Sequence, residues 1–253
     1  MIHRTAIVHR KAKIGARCEI GPYCVIGEHA TLGPKCKLHS HVVIEGHTKI
    51  GKENEFYPFT GIGLKTQDLK WKGGITWTEI GDTNVFREYV SVNGATGDGE
   101  ATRIGSNNYL LCYSKIGHNC IIGNHIIMAD AAIAGHVVVE DYARLSPCAI
   151  HQFCRIGKMA MVGGLSKVVQ DVPPYMLADG NPAETRTINK FALDRAGISD
   201  EAQKALRAAY KILFREGLTV SNALAKIEKK LPSLPEIQYL VQFIRASERG
   251  IGK

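Results

Sequence analysis

An aliphatic or aromatic residue recurs at every sixth position through the first quarter of the chain. A period of six matches neither the alternation of an ordinary strand nor the 3.6-residue turn of a helix. A small residue precedes most members of the repeat by two positions, and glycine follows many of them. The members are Ile2, Val8, Ile14, Ile20, Ile26, Leu32, Leu38, Ile44, Ile50, Phe56 and Ile62. Hexapeptide repeats of this kind are typical of a parallel β-helix.

The repeat predicts a three-sided prism. Each hexad supplies one short strand and a turn, and three hexads of about 18 residues close one coil. The large residue points into the prism, and the small residue fills the corner beside it. Coils stack about 4.8 Å apart, so equivalent residues form columns and each coil is stabilised by its neighbours.

Two interruptions, at residues 63–78 and 93–101, break the repeat before it continues to Val168. Counting three hexads per coil places these residues in one column: Val8, Ile26, Ile44, Ile62, Val92, Ile116, Ile133, Ile150 and Val168. Both interruptions follow members of this column, and so do His118, His136 and His151 on three successive coils. We therefore expect two long loops and three stacked histidines at one corner, and long loops on a rigid repeat usually carry function.

The pattern changes after Val168. The pair Pro173-Pro174 ends the repeat, because proline cannot donate a hydrogen bond to a strand ladder. Ser199, Thr219 and Pro235 then open three segments with helical periodicity. We predict a β-helix over residues 1–188 and a small α-helical C-terminal domain over residues 189–253. A flat-sided prism with an apolar-striped helical tail favours a cyclic homo-oligomer, and three copies would match the three-sided section.

Composition restricts the partners and the compartment. The net charge of +8 suits an anionic partner, but no nucleic-acid motif accompanies it, so we expect no nucleic acid. The apolar runs are too short to span a membrane and no signal peptide is expected, so we predict no stable membrane insertion. Six of the seven cysteines occupy the small inward position, as expected for reduced side chains in a cytoplasmic protein. They are Cys18, Cys24, Cys36, Cys120, Cys148 and Cys154.

Histidine and glycine at the shared corner suggest acyl-transfer chemistry. His118 is the candidate general base, since an imidazole accepts a proton near neutral pH and a corner side chain can reach a substrate. Gly135, on the next coil, could present its N–H to a developing oxyanion. Each residue would also be ordinary in a turn, so spacing alone leaves both interpretations open.

Two further stretches could bind substrate. In the first loop, Gln67, Asp68 and Lys70 offer an amide, a carboxylate and a cation to a sugar or phosphate, and His151 with Gln152 could bind a polar head group. Phosphate-binding loops, nucleophile elbows and Cys-x-x-Cys pairs are absent. A zinc site is disfavoured because His118 and His125 fall on different corners. We expect neither a metal nor a cofactor.

With these residues in view, the chain resembles the acyl-(acyl-carrier-protein)–UDP-N-acetylglucosamine O-acyltransferases, which begin lipid A biosynthesis. The resemblance covers nearly the whole chain and is most specific in four motifs, Gln67–Lys70, Ala134–Val137, His151–Phe153 and Asp171–Tyr175. It implies a left-handed β-helix and a homotrimer with sites between subunits. The thioester of an acyl carrier protein and a UDP-sugar would be the co-substrates.

The resemblance also implies residue roles. His118 would deprotonate the sugar 3-hydroxyl, which attacks the thioester of a 3-hydroxyacyl carrier protein, while the Gly135 N–H holds the oxyanion and His136 assists nearby. The other implied contacts are Asp68 and Lys70 along the sugar and acyl channel, Gln152 at the nucleotide, Asn189 and Arg195 at the diphosphate, and Gly164 at the position that sets acyl length.

Two departures from many relatives leave the acceptor open. Asn93-Gly94 stands where they carry His followed by Arg or Lys, and Lys115 stands where they carry His. A paralogue that acylates another nucleotide sugar, such as the 3-amino analogue by N-acyl transfer, is therefore an alternative. A zinc-dependent hydratase on the same fold and a non-catalytic paralogue that binds UDP-sugar without turnover are alternatives from other classes.

Overall fold

The computed structural model describes residues 1–253 and consists of a three-sided shaft followed by four helices. Most strands of the shaft are two residues long, because each hexad leaves room for only one short strand between turns. Each of the three faces is one sheet, and the shaft is a left-handed parallel β-helix, as the resemblance implied.

The first sheet contains β1 (Ile7–Val8), β4 (Val25–Ile26), β7 (Val43–Ile44), β10 (Gly61–Leu64), β13 (Ser91–Asn93), β16 (Lys115–Ile116), β19 (Ala131–Ile133), β22 (Cys148–Ile150) and β25 (Ser166–Val168). The second contains β2 (Lys13–Ile14), β5 (Thr31–Leu32), β8 (His47–Ile50), β11 (Trp77–Ile80), β14 (Ala101–Ile104), β17 (Ile121–Ile122), β20 (Val138–Val139) and β23 (Arg155–Ile156). The third contains β3 (Glu19–Ile20), β6 (Lys37–Leu38), β9 (Glu55–Phe56), β12 (Val85–Phe86), β15 (Tyr109–Leu110), β18 (Ile127–Met128), β21 (Arg144–Leu145), β24 (Met161–Val162), β26 (Met176–Asp179) and β27 (Glu184–Ile188).

The predicted column runs unbroken through the first sheet. Ile62 pairs with Val92 across the first interruption, and Val92 pairs with Ile116 across the second. From Ile20 onward, the large residues of the hexads are buried along the axis, together with the six predicted cysteines, whose thiols are free. The two interruptions therefore project from one corner, between the first and second sheets, without shifting the coils above them.

A buried asparagine column, which the hexad pattern did not predict, fills another corner. Asn54, Asn84 and Asn108 are at most 1% exposed, on successive coils. The Asn54 Oδ1 accepts from the Asn84 N–H at 2.9 Å, and the Asn84 Oδ1 accepts from the Asn108 N–H at 2.9 Å. These amides occupy the small inward position, where their hydrogen bonds offset the cost of burial.

Four helices follow the shaft: α1 (Lys190–Arg195), α2 (Asp200–Phe214), α3 (Val220–Lys230) and α4 (Pro235–Arg245). The predicted caps of α2 and α3 are confirmed, since the Ser199 and Thr219 side chains accept backbone N–H groups of the first turn. The six-residue α1 was not predicted. None of the four helices has the length and apolar character that crossing a membrane would require.

The helices and the shaft share a core. Met159 and Tyr175 of the shaft pack with the buried faces of α2, α3 and α4. The end of the chain returns to the last coil, where Ile251 pairs with Asp171 and the Thr185 hydroxyl donates to the Gly252 carbonyl at 2.9 Å. The predicted helical region 189–253 therefore ends in an extended segment that closes the top of the shaft.

Candidate active site

Six of the predicted site residues line one cleft of about 760 Å³. The cleft lies between the first loop and the outer surface of the first sheet. Its predicted members are Gln67, Asp68, Lys70, His118, Gly135 and Gln152. The first loop reaches this place because it leaves the shaft at the same corner that carries the turn after β16.

His118 forms part of the cleft wall and is 8% exposed. It is the second residue after the buried Ile116, and Gly135 occupies the same position on the next coil. A Cβ added to Gly135 would lie 2.3 Å from the His118 Nε2, well inside contact distance. Only glycine at 135 therefore leaves room for the imidazole in this position.

Asn119 fixes the tautomer of His118. The Asn119 Oδ1 accepts from the Thr96 N–H at 3.0 Å, and since a backbone N–H can only donate, this atom must be the amide oxygen. The same oxygen lies 2.9 Å from the His118 Nδ1, which must therefore carry the proton. In the neutral imidazole, the Nε2, which faces Gly135, then has a free lone pair. This is the arrangement that a general base requires.

Asp68 adds a negative charge near this imidazole. Its Oδ2 lies 3.8 Å from the His118 Nε2, too long for a hydrogen bond but close enough for attraction to an imidazolium. The Lys70 N–H donates to the Asp68 Oδ1 at 2.9 Å, and this bond, aided by the nearby charge of His118, lowers the pKa of the Asp68 carboxyl. The carboxylate is therefore ionised at neutral pH.

The expected stack of three histidines is wrong. His118, His136 and His151 stand second, third and first after their column residues, so they occupy three different turn positions. His136 meets the His118 ring edge-on at 5.1 Å and stacks on Phe153 at 4.7 Å. Burial, followed by the nearby charge of His118, lowers the pKa of His136. His151 is exposed, and its Nδ1 lies 3.2 Å from the Gln152 carbonyl oxygen.

Asn189, Arg195 and Gly164 lie outside this cleft. Asn189 is 3% exposed and caps α1; its Nδ2 donates to the Met159 carbonyl at 2.9 Å, and its Oδ1 accepts from the Ala192 N–H. Asn189 therefore caps α1 in the single chain, and the diphosphate contact that the resemblance implied stays a prediction. Arg195 borders a separate hollow of about 330 Å³. Gly164 is exposed in a turn, and a Cβ added there would meet nothing within 4 Å.

The two positions that depart from many relatives lie beside the cleft. Lys115 is exposed on β16 and lines the cleft. Asn93 is 8% exposed, and its Nδ2 donates to the Lys65 carbonyl at 3.0 Å, so it ties the second loop to the first. A hydrogen bond of 2.9 Å between the Thr66 and Thr96 hydroxyls adds a second link. The two loops thus form one wall.

Comparison with known proteins places the chain in an enzyme class. Residues 171–252 match the family described as UDP N-acetylglucosamine O-acyltransferase, domain 2. An acyl-(acyl-carrier-protein)–UDP-N-acetylglucosamine O-acyltransferase of Thermodesulfovibrio yellowstonii is 48% identical, over 99% of this chain and 98% of its own length. The crystal structure of a UDP-N-acetylglucosamine acyltransferase from Bacteroides fragilis matches with a TM-score of 0.96 and 38% identity, over 100% of both chains. The UDP-N-acetylglucosamine O-acyltransferase of Moraxella catarrhalis matches with a TM-score of 0.94 and 40% identity, over 100% of this chain and 99% of its own.

The β-helix of hexapeptide repeats and these relatives define an acyltransferase of the hexapeptide-repeat class. Within that class, the chain belongs to the acyl-(acyl-carrier-protein)–UDP-N-acetylglucosamine O-acyltransferase family.

Proposed function

We propose that the protein transfers a 3-hydroxyacyl chain from acyl carrier protein to the 3-hydroxyl of UDP-N-acetylglucosamine, the first step of lipid A biosynthesis. The observation that carries this proposal is the His118 imidazole, which presents an unprotonated Nε2 beside the Gly135 backbone in the cleft. The substrates follow from the names of the relatives.

The proposed reaction uses groups that the cleft already presents. The His118 Nε2 takes the proton of the sugar 3-hydroxyl, whose oxygen attacks the thioester carbonyl. The Gly135 N–H, which has no acceptor within the chain, donates to the oxyanion. As the tetrahedral intermediate collapses, the C–S bond breaks, and the imidazolium returns its proton to the sulfur of the carrier protein.

Charge in the cleft supports each stage. The ionised Asp68 stabilises the imidazolium that forms on His118. Lys70 and Lys115 are exposed in the cleft and would attract the diphosphate or the acidic carrier protein. The net charge of +8 acts in the same sense. No step requires a metal or another cofactor.

We propose that three copies assemble around this cleft. Leu69, at the tip of the first loop, is 100% exposed in the single chain, and Leu165 is 87% exposed. Exposed rings also stack along the corner between the third and first sheets, with centroids 5.0–5.1 Å apart: Tyr23, His41, Phe59, Tyr89 and Tyr113. A neighbouring copy would cover this surface. It would also place Arg195 and Gly164, which lie outside their own cleft, beside the cleft of the adjacent copy.

Seven free thiols, five of them at most 4% exposed, support a reducing compartment, which we take to be the cytoplasm.

A second acceptor is favoured by one observation. Lys115 places an ammonium in the cleft where many relatives have an imidazole, and Asn93 is turned toward the first loop. These changes alter the polar lining beside the base, so the 3-amino analogue of the sugar is the alternative acceptor. The product would then be an amide.

One incubation separates these functions. The purified protein is given UDP-N-acetylglucosamine, its 3-amino analogue and a panel of 3-hydroxyacyl carrier proteins, and the product mass is measured with and without a chelator. We expect an ester that alkaline hydroxylamine cleaves and a rate that the chelator leaves unchanged. An amide product from the amino sugar alone would establish the alternative. Bound sugar with no product from any donor would contradict both.

A further inference from the structure

A carboxylate outside the predicted site is linked to His118 through one side chain. Glu100, at the end of the second loop, accepts from the Asn119 Nδ2 at 2.6 Å and from the Gly97 N–H at 2.9 Å. The Asn119 Oδ1 in turn accepts from the His118 Nδ1 at 2.9 Å. A continuous path of hydrogen bonds therefore runs from the carboxylate to the imidazole.

The polarity of this path is fixed at its outer end by Glu100 as well as by the Thr96 N–H. An ionised carboxylate can only accept, so the Asn119 amide must turn its NH₂ group toward Glu100 and its oxygen toward His118. The reverse orientation would aim the NH₂ group at the His118 Nδ1. The proton would then have to lie on Nε2, where it would block the base.

Glu100 also holds the second loop against the turn that carries His118. Its bond to the Gly97 N–H closes the loop on itself, and the adjacent Thr96 N–H then reaches the Asn119 Oδ1 at 3.0 Å. The Asn119 side chain and, less strongly, the Gly97 N–H lower the pKa of the Glu100 carboxyl, which keeps it ionised at neutral pH.

We propose that Glu100 is a positioning residue that sets the tautomer of His118 through the Asn119 amide. It never touches the reacting atoms. The inference rests on the proposed role of His118 as the base. It also assigns a function to the second loop, which must be closed for the His118 imidazole to carry its proton on Nδ1.

The test combines kinetics with a spectroscopic readout of the tautomer. In Glu100→Ala we expect kcat to fall by about 10- to 100-fold, the usual size of an indirect orienting effect, with KM for the sugar changed less than about threefold. The ¹⁵N shifts of His118, assigned by comparison with His118→Gln, should indicate Nδ1–H in the parent and a mixture of tautomers in Glu100→Ala. Circular dichroism verifies folding.

Matched variants distinguish a specific role of Glu100 from a general effect of removing a charge. Glu79→Gln removes a carboxylate that pairs with Arg103 at 3.0 Å and has no link to His118, so its kcat should equal that of the parent. Asn119→Asp in the Glu100→Ala background places a carboxylate directly on the His118 Nδ1. This double variant should recover activity relative to Glu100→Ala, whereas Asn119→Asp alone sets two carboxylates against each other and should not.

The proposal would be overturned if Glu100→Ala kept the Nδ1–H tautomer of the parent and had a kcat within twofold of the parent value. If the parent protein itself has no transferase activity, the proposed function fails. The ¹⁵N comparison then still decides whether Glu100 sets the tautomer.

Discussion

At the scale of single residues, the site depends on how closely one turn approaches the next. The His118 ring lies where any side chain at position 135 would be, and the Asn119 amide holds the ring by its other nitrogen. Neither residue acts alone, since glycine provides the space and asparagine selects the tautomer. The imidazole is thereby fixed before a substrate arrives, which is how an enzyme avoids reorganisation at the moment of reaction.

Gly135→Ala should displace the His118 ring. The added Cβ would meet the His118 Nε2 at 2.3 Å, and a shift of about 1 Å in a catalytic group can lower turnover by about 100-fold. Steady-state kinetics measures the loss. Gly27→Ala is the control, because its Cβ would meet only ordinary contacts at 3.4 Å and beyond, on the same corner but far below the cleft. Equal losses in the two variants would mean that the backbone, not the imidazole, is affected.

His136 should make the protein acid-sensitive. Its pKa is lowered below the usual 6.5, so folding favours its neutral form. The stability that it contributes is present above pH 6.5 and is lost as the pH falls through the folded-state pKa. In His136→Asn, whose side chain suits the φ of 60° at this position, the melting temperature should fall less between pH 7 and 5. His3→Asn is the exposed control, and an unchanged slope in His136→Asn would contradict the assignment.

At the scale of elements, the sequence is most informative where one rule repeats. The column from Val8 to Val168 and the exit points of both loops follow from counting hexads, because a stacked coil cannot shift without exposing its neighbours. The sequence also predicts separate turn positions for the three histidines, because they stand two, three and one residues after their column residues. Taken as equivalent positions, the three histidines predicted a stack instead.

Other parts of the site do not follow from counting. The bond between Asn119 and Glu100 depends on the path of the second loop, which has no period. Asn189 matched a family position, but its amide is used by α1 and the Met159 carbonyl, contacts that exist only after the helices pack on the shaft. Local pattern predicts local geometry, and these contacts are long-range.

The closing segment of the chain gives a test at this scale. The Ser247 hydroxyl donates to the Asp171 Oδ2 at 2.7 Å, and Asp171 is 1% exposed. Ser247→Ala leaves that oxygen without its donor and should lower the free energy of unfolding by about 1–3 kcal/mol. Ser221→Ala, at an exposed position of α3, is the control and should have little effect in urea titrations. A Ser247→Ala protein as stable as the parent would mean that the segment does not close the last coil.

At the scale of the whole molecule, the exposed apolar surface predicts the assembly. Light scattering should give three times the chain mass for the parent. Leu165→Asp would place a charge in the proposed contact, so we expect smaller species with an unchanged circular dichroism spectrum and reduced transferase activity. Ser221→Asp, at an exposed position of α3, is the control because it adds the same charge away from the proposed contact. A fully active monomer would contradict a cleft shared between copies.

The most direct test is the kcat/KM of His118→Gln for transfer from a 3-hydroxyacyl carrier protein to UDP-N-acetylglucosamine. Glutamine keeps much of the size and polarity of histidine but cannot take up the proton, so the rate should fall by about 100- to 10,000-fold while mass and circular dichroism stay as in the parent. A rate within threefold of the parent would mean that another group removes the proton, and the mechanism built on His118 would be wrong.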